Sequence, residues 1–368
     1  MSAWKRATLE ELAHFQRGFD ISKAEQQPGD VPVVSSSGVT SYHSIAKVKG
    51  PGVTIGRKGT LGTVFYIPQD YWPHSTSLWV TDFKGNEPKF VYYYLKILGL
   101  EQFDVGASNP TLNRNHIHGL QISIPDVTTQ RRIADVLSAY DDLIENNRRR
   151  IAILEETARL AYRKWFGGAN TARTATLGDL LEVIESGARP KGGAVTDGVP
   201  SIGAEKIEAI GIYDFTSEKY ISREYYEKMR RGKIRSGDVL LYKDGAYTGK
   251  VSMALNGFPH SEAAVNEHVF ILRTSDLKTQ CYLYCFLRQP EIYEKINTIA
   301  SAKSCQPGLN QADVLGMEIE VCSEAKIDQF GGVVIDLFGQ IVNIAKQSAA
   351  LAAARDMLLP RLMKGEGA

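Results

Sequence analysis

QRRIADVLSAYDDLIENNRRRIAILEETARLAYRKWF, residues Gln130–Phe166, contains no Gly and no Pro. Stepping alternately by four and three picks out Ile133, Leu137, Tyr140, Ile144, Asn147, Ile151, Leu154, Ala158, Ala161 and Trp165, an apolar seam whose one polar member is Asn147. That spacing is a coiled-coil heptad. Charged residues fill most other positions, so the seam is the face that needs a partner. At 1.5 Å per residue the helix would be a rod of roughly 55 Å. A rod in mid-chain separates two things.

The flanking sequence repeats itself. Ala7-Thr8-Leu9-Glu10-Glu11-Leu12 is echoed by Ala175-Thr176-Leu177-Gly178-Asp179-Leu180, and Val31-Pro32-Val33 by Val199-Pro200-Ser201. The Gly-rich run from Gly52 to Val64 matches Gly237 to Val251 with one insertion, His74-Ser75 recurs as His260-Ser261, and Leu112-Asn113 as Leu309-Asn310. The last pair sets an offset of 197 residues, which carries the seam onto Leu337, Ile341, Ile344, Ser348, Leu351, Arg355, Leu358 and Leu362. A second, less regular heptad helix is therefore expected, interrupted by Ser348 and Arg355. In each repeat, strand-like runs alternate with Gly- and Pro-containing turns and are followed by a short helix, around Lys89–Leu98 and Gln280–Arg288. The expected fold class is α+β. Two similar, mostly β domains (1–129 and 167–324) are separated by two long helices (130–166, and 325–368 including the C-terminal tail) packed as an antiparallel coiled coil.

Composition narrows the class of protein. The chain has 368 residues, 23% of them charged, and a net charge of +1, the profile of an ordinary globular protein of two or three domains. No apolar stretch is long enough for a membrane span and the first residues lack a signal-peptide core, so a cytoplasmic protein is expected. Cys281, Cys285, Cys305 and Cys322 form no C-x-x-C pair and suggest neither a disulfide framework nor a zinc site.

No catalytic constellation emerges. Gly245-Ala-Tyr-Thr-Gly-Lys250 has three residues where a phosphate-binding P-loop needs four and Val251 where Ser or Thr must hold magnesium. Asn109-Pro110-Thr111-Leu112 lacks the second Pro and the aromatic of an adenine-methyltransferase loop. No glycine fingerprint for a dinucleotide opens a helix, and the histidines show no metal-ligand spacing.

Recognition remains. Arg57, Lys58 and Thr60 in the first repeat, and Lys243, Tyr247, Thr248 and Lys250 in the second, place cations and hydroxyls on equivalent Gly-rich turns, the residue types that hold phosphates and read base edges. Polar loops add Ser35, Ser36, Asn109, Asn113 and Arg114, then Lys303, Gln306 and Asn310, and Arg230 and Arg231 lie in the densest basic cluster. Two such heads suit a reader of bipartite double-stranded DNA. A DNA methyltransferase or nuclease in its own right, or a coiled-coil module that never touches DNA, are the rival readings.

The whole chain resembles the DNA-specificity subunit of type I restriction-modification systems. The resemblance rests on the alternation of domain and helix, on Gly56-Arg57-Lys58-Gly59-Thr60-Leu61-Gly62, on Gly237-Asp238-Val239-Leu240, and on Ile122-Ser123-Ile124-Pro125 leading into Gln130-Arg131-Arg132-Ile133-Ala134. The ending from Ala354 to Glu366 is also of that type. The resemblance implies a non-enzymatic subunit with two target-recognition domains, each reading half of an interrupted target. Its helices would set the spacing and dock two methyltransferase subunits. S-adenosylmethionine for adenine N6 methylation, and ATP with magnesium for a restriction and translocase subunit, would then be held by those partners and not by this chain.

Overall fold

The computed structural model describes residues 4–103, 111–167, 173–190, 192–302 and 308–366. It divides into two compact units, Met1–Leu143 with Leu351–Ala368, and Ile144–Ala350. Each unit therefore holds part of both long helices, which run over Val127–Phe166 and Glu324–Leu362.

The first unit opens with a ribbon in which Lys5–Thr8 pairs antiparallel with Gln121–Ile124. A four-stranded antiparallel sheet follows in the order His14–Arg17, Ser77–Asp82, Gly52–Gly56, Val64–Ile67, and the helix Pro88–Lys96 packs on it. A smaller sheet joins Gly38–His43, Val31–Ser35 and Trp72–Pro73, the last pair parallel. The second unit repeats this plan. Arg173–Thr176 pairs with Glu318–Val321, and the larger sheet runs Val183–Ser186, Val269–Arg273, Val239–Tyr242, Val251–Met253. Its smaller sheet joins Tyr220–Ile221, Val199–Ile202 and Ala264–Val265, again with one parallel pair. The helix Leu277–Leu287 stands in the place of Pro88–Lys96.

The repeated sequence words are the residues that local physics requires. Thr8 and Glu11 form a capping box at the turn Leu9–Leu12, with the Thr8 N–H donating to Glu11 Oε2 at 2.6 Å. The Thr176 N–H donates to Asp179 Oδ2 at 2.8 Å in the same place. Leu9, Leu12 and Leu177 drop into the cores. Asn113 and Asn310 cap the short helices Arg114–His118 and Gln311–Leu315, while Leu112 and Leu309 are buried just before them. One sequence match is a coincidence. The His74 N–H donates to Val34 O at 2.8 Å, and the corresponding bond to Ile202 O, at 3.0 Å, comes from Asn266. His260 instead bonds Glu218 at 2.6 Å and meets the rings of Tyr213 and Phe215 edge-on. Extra residues in the second domain shifted the histidine-serine pair out of register with the strands.

The seam positions of the first helix are all at least partly buried, but burial extends beyond the seam to Ala134, Ser138, Tyr162 and Phe166. The expectation of a helix solvated everywhere except along one seam is thus corrected: near each end a long helix has two neighbours, the other helix and a domain, so its apolar stripe widens. In the first unit Ile133, Ala134 and Leu137 share a core with Phe15, Ile55, Phe90 and, from the second helix, Leu359 and Leu362. In the second unit Ile151, Ala158, Tyr162 and Phe166 share one with Val239, Tyr282, Phe330, Val334 and Phe338. Along the second helix Ile341, Ile344 and Leu362 are buried and Leu337, Ser348, Leu351, Arg355 and Leu358 half-buried.

Antiparallel register follows from contacts inside each unit. Asp141 pairs with Arg355, and Phe166 lies 5.1 Å from Phe330. The steps from 141 to 166 and from 355 back to 330 are equal. The polar residues on the seams are satisfied: Asn147 Oδ1 accepts from Arg150 on its own helix at 3.4 Å, and the Ser348 hydroxyl donates to Ile344 O at 3.0 Å. Asp141 also accepts from the Tyr93 hydroxyl at 2.5 Å, and burial, then that carboxylate, pushes the Tyr93 pKa well up. Cys281, Cys285 and Cys322 are buried free thiols. Among the described residues no helix is long and apolar enough to cross a membrane.

Phe330 is fully buried against Tyr162, Trp165, Phe166 and Tyr282. Phe330→Ala is expected to cost about 3–5 kcal/mol of stability, measured as a lowered urea midpoint; a loss under about 1 kcal/mol, the scale of a surface change, would show that the helix pairing is held elsewhere.

Candidate nucleic-acid interface

In the first domain the chain leaves strand Gly52–Gly56, turns through Arg57-Lys58-Gly59-Thr60-Leu61-Gly62 and returns as Val64–Ile67. Gly59 and Gly62 have φ of +80° and +73°, which side chains resist, so glycine is required at both. Backbone bonds lock the turn on every side. The Gly56 N–H donates to Thr63 O at 2.7 Å, the Arg57 N–H to Thr76 O at 2.8 Å, and the Leu112 N–H to Arg57 O at 2.9 Å. Lys58 bridges to Thr111.

The second domain builds the same turn with the same bonds. The Tyr242 N–H donates to Lys250 O at 2.9 Å, the Lys243 N–H to His268 O at 3.1 Å, and the Leu309 N–H to Lys243 O at 2.7 Å. Asp244 bridges to Gly308. Arg57 therefore corresponds to Lys243, Lys58 to Asp244, Thr63 to Lys250 and Thr76 to His268.

The side chains on this common backbone differ. In the first domain Lys58 and Thr60 are exposed and Arg57 half-buried. Burial, then the nearby Arg17, lowers the Arg57 pKa. Arg17 is exposed and bonds both oxygens of Asp20, at 2.9 and 3.1 Å. Arg17 was not singled out from the sequence, because only strand pairing brings it to this end of the sheet. In the second domain Asp244 Oδ1 lies 2.6 Å from His268 Nδ1, and Lys250 pairs with Glu208 while its ammonium sits 4.5 Å over the exposed Tyr247 ring. Lys243 is half-buried over Phe270.

Several candidate residues are engaged in holding the fold. Ser36 is buried, its N–H donating to Thr76 Oγ1 at 3.3 Å and its carbonyl accepting from Thr63 Oγ1 at 2.6 Å. The Ser35 hydroxyl lies 3.1 Å from that of Ser37. Thr248 is buried and its hydroxyl donates to Gly245 O at 2.8 Å. Asn113 Oδ1 accepts from the Asn115 N–H at 3.0 Å and Asn310 Oδ1 from the Asp313 N–H at 2.9 Å, as helix caps. Arg114 is exposed beside the first of these caps. Arg230 and Arg231 are exposed next to Gly232, whose carbonyl accepts from the Val265 N–H at 2.9 Å, which puts them near the strand leading to His268. Asn109, Lys303 and Gln306 lie outside the described residues.

Among the described residues, Glu10, His14 and His118 form the one group spaced to hold a metal ion. Sequence spacing could not show it, since His118 comes from the far end of the domain. The Phe15 N–H donates to His118 Nε2 at 3.1 Å, which places the proton of the neutral ring on Nδ1, facing Glu10 at 4.0 Å. His14 Nδ1 lies 3.1 Å from the same oxygen. A ligating imidazole would need its Nδ1 lone pair free, so the group reads as a hydrogen-bonded clasp.

Residues 1–156 match the family described as the type I restriction modification DNA specificity domain. The MjaIX type I specificity subunit of Methanocaldococcus jannaschii is 25% identical over 92% of this chain and 87% of its own length. The HindI specificity subunit of Haemophilus influenzae is 22% identical over 70% of this chain and 71% of its own. The crystal structure of the type I S subunit from M. genitalium has the same fold, with a TM-score of 0.60, 16% identity, and 98% of this chain and 96% of that one covered. A relative similar over nearly its full length, and a solved S subunit with the same duplicated plan, agree with the domain match: residues 1–156 form a type I restriction modification DNA specificity domain, and the chain as a whole is similar to type I specificity subunits.

Proposed function

We propose that each domain reads one half of an interrupted double-stranded DNA target, and that the chain, itself without catalytic chemistry, directs adenine N6 methylation and restriction by partner subunits. The observation that carries this is the Gly-rich turn: one backbone built twice to the same hydrogen bonds, with different side chains on it. A framework held by main-chain bonds leaves the displayed residues free to differ, as two readers of two sequences must. The cations Arg57, Lys58, Arg230 and Arg231 suit phosphate contacts, which fix register, and the polar groups beside them suit base edges. In this reading the two long helices set the spacing between half-sites and dock two methyltransferase subunits. S-adenosylmethionine is used there, and ATP with magnesium by a restriction and translocase subunit.

Mapping methylated bases in host DNA with and without this gene tests the reading: loss of one interrupted methylated motif on deletion is expected, and an unchanged methylation pattern rejects it. For the turn, Arg57→Ala with Lys58→Ala in the assembled complex should weaken DNA binding and flatten its salt dependence by about one to two phosphate contacts. Unchanged affinity and salt slope would make the turn purely structural. For the spacing, one heptad is removed from each helix at facing positions, Leu143–Arg149 and Gln347–Ala353, so that the seam stays in register. About 10 Å of helix is lost, and the methylated motif should shorten its unspecified spacer by about three base pairs. A spacer of unchanged length would reject the helices as its determinant.

A further inference from the structure

Lys58 and Asp244 occupy the same backbone position, fixed by the bridges to Thr111 and Gly308 and by the bonds to Leu112 and Leu309 next to them. A charge reversal at one position of two turns with matching main-chain bonds is not needed by the fold, since those bonds form around either residue. It changes what the turn can touch. A lysine ammonium meets a phosphate favourably. A carboxylate against the phosphate backbone is repelled, and its favourable DNA partner is a donor on a base edge, the exocyclic amino group of cytosine or adenine.

The surroundings of Asp244 fit that role. His268, in the place of Thr76, puts Nδ1 2.6 Å from Oδ1 and fixes the carboxylate plane, while Oδ2 lies 3.9 Å from the Lys243 ammonium, close enough for attraction and too far for a hydrogen bond. The Asp244 side chain is 24% exposed and that of His268 46%, so the pair is held yet open to a partner. Nearby Lys250 is already paired with Glu208. Both cations of the second turn thus stand beside an acid, Lys243 by Asp244 and Lys250 by Glu208, and Asp244 is a preorganised acceptor.

We propose that Asp244, oriented by His268, reads a base in the second half-site by accepting a hydrogen bond from an exocyclic amino group, whereas Lys58 at the equivalent place in the first domain contacts a phosphate. The inference rests on the half-site reading above. In the complex with its own modification subunits, Asp244→Asn replaces an acceptor-only group by one that also donates. Sequencing of methylated bases in host DNA should then show one position of one half-site losing discrimination by about tenfold, with the other half-site unaltered. His268→Gln should relax the same position more weakly, and serves as the test if Asp244→Asn does not assemble. Retention of the wild-type motif at wild-type level overturns the inference, as does an even fall in methylation at every site with no change in motif. If the wild-type complex yields no interrupted motif, the half-site reading itself fails; a normal wild-type motif with an unresponsive variant removes only the role of Asp244.

Discussion

The packing of Phe330 among Tyr162, Trp165, Phe166 and Tyr282 is the contact on which the arrangement depends, because it joins the end of one long helix, the start of the other and a helix of the second domain in one core. Aromatic rings meeting largely edge-on bury large apolar areas and also fix angle and register. At the opposite end of the pairing the register is held by charge, through Asp141 and Arg355 with the Tyr93 hydroxyl on the same carboxylate. The pair is only partly exposed, so removing one partner would leave a desolvated charge behind. An apolar clamp and a polar one, each inside its own compact unit, align the same two helices.

The second constraint is main-chain hydrogen bonding at the turns. Gly59 and Gly62, and their counterparts Gly245 and Gly249, adopt the positive φ that lets the chain reverse, and main-chain bonds, helped by the Thr63 and Thr248 hydroxyls, hold each turn. The residues between them are free to carry function. The chain uses that freedom differently in its two halves, with the cations Arg57 and Lys58 on the first turn and an acid–histidine pair and a cation–acid pair on the second.

Much of this was legible in the residues. The heptad of Ile133 to Trp165 specified a long helix because a period of three and four is incompatible with a strand. The words ATLEEL and ATLGDL, Leu112-Asn113 and Leu309-Asn310 marked duplication because capping boxes and helix caps need particular residues at particular spacings. The match of His74 with His260 failed for the complementary reason: no local rule required a histidine there, and strand pairing assigned the position to Asn266. Likewise Ser36 and Thr248 look like surface hydroxyls in the sequence, but both residues are buried in the fold, Ser36 bonded through its main chain and Thr248 through its hydroxyl.

Sequence alone determined the period, the caps, the glycines and the order of domain and helix, because each depends on residues within a few positions of one another. Only the tertiary structure decided that the seams widen into both domain cores, that Asp141 meets Arg355, and that Arg17 stands beside Arg57. It also decided that Asp244 stands where Lys58 does with His268 as its partner. Those relations join residues tens to hundreds of positions apart, and they are set by sheet register and helix packing, which no local pattern encodes.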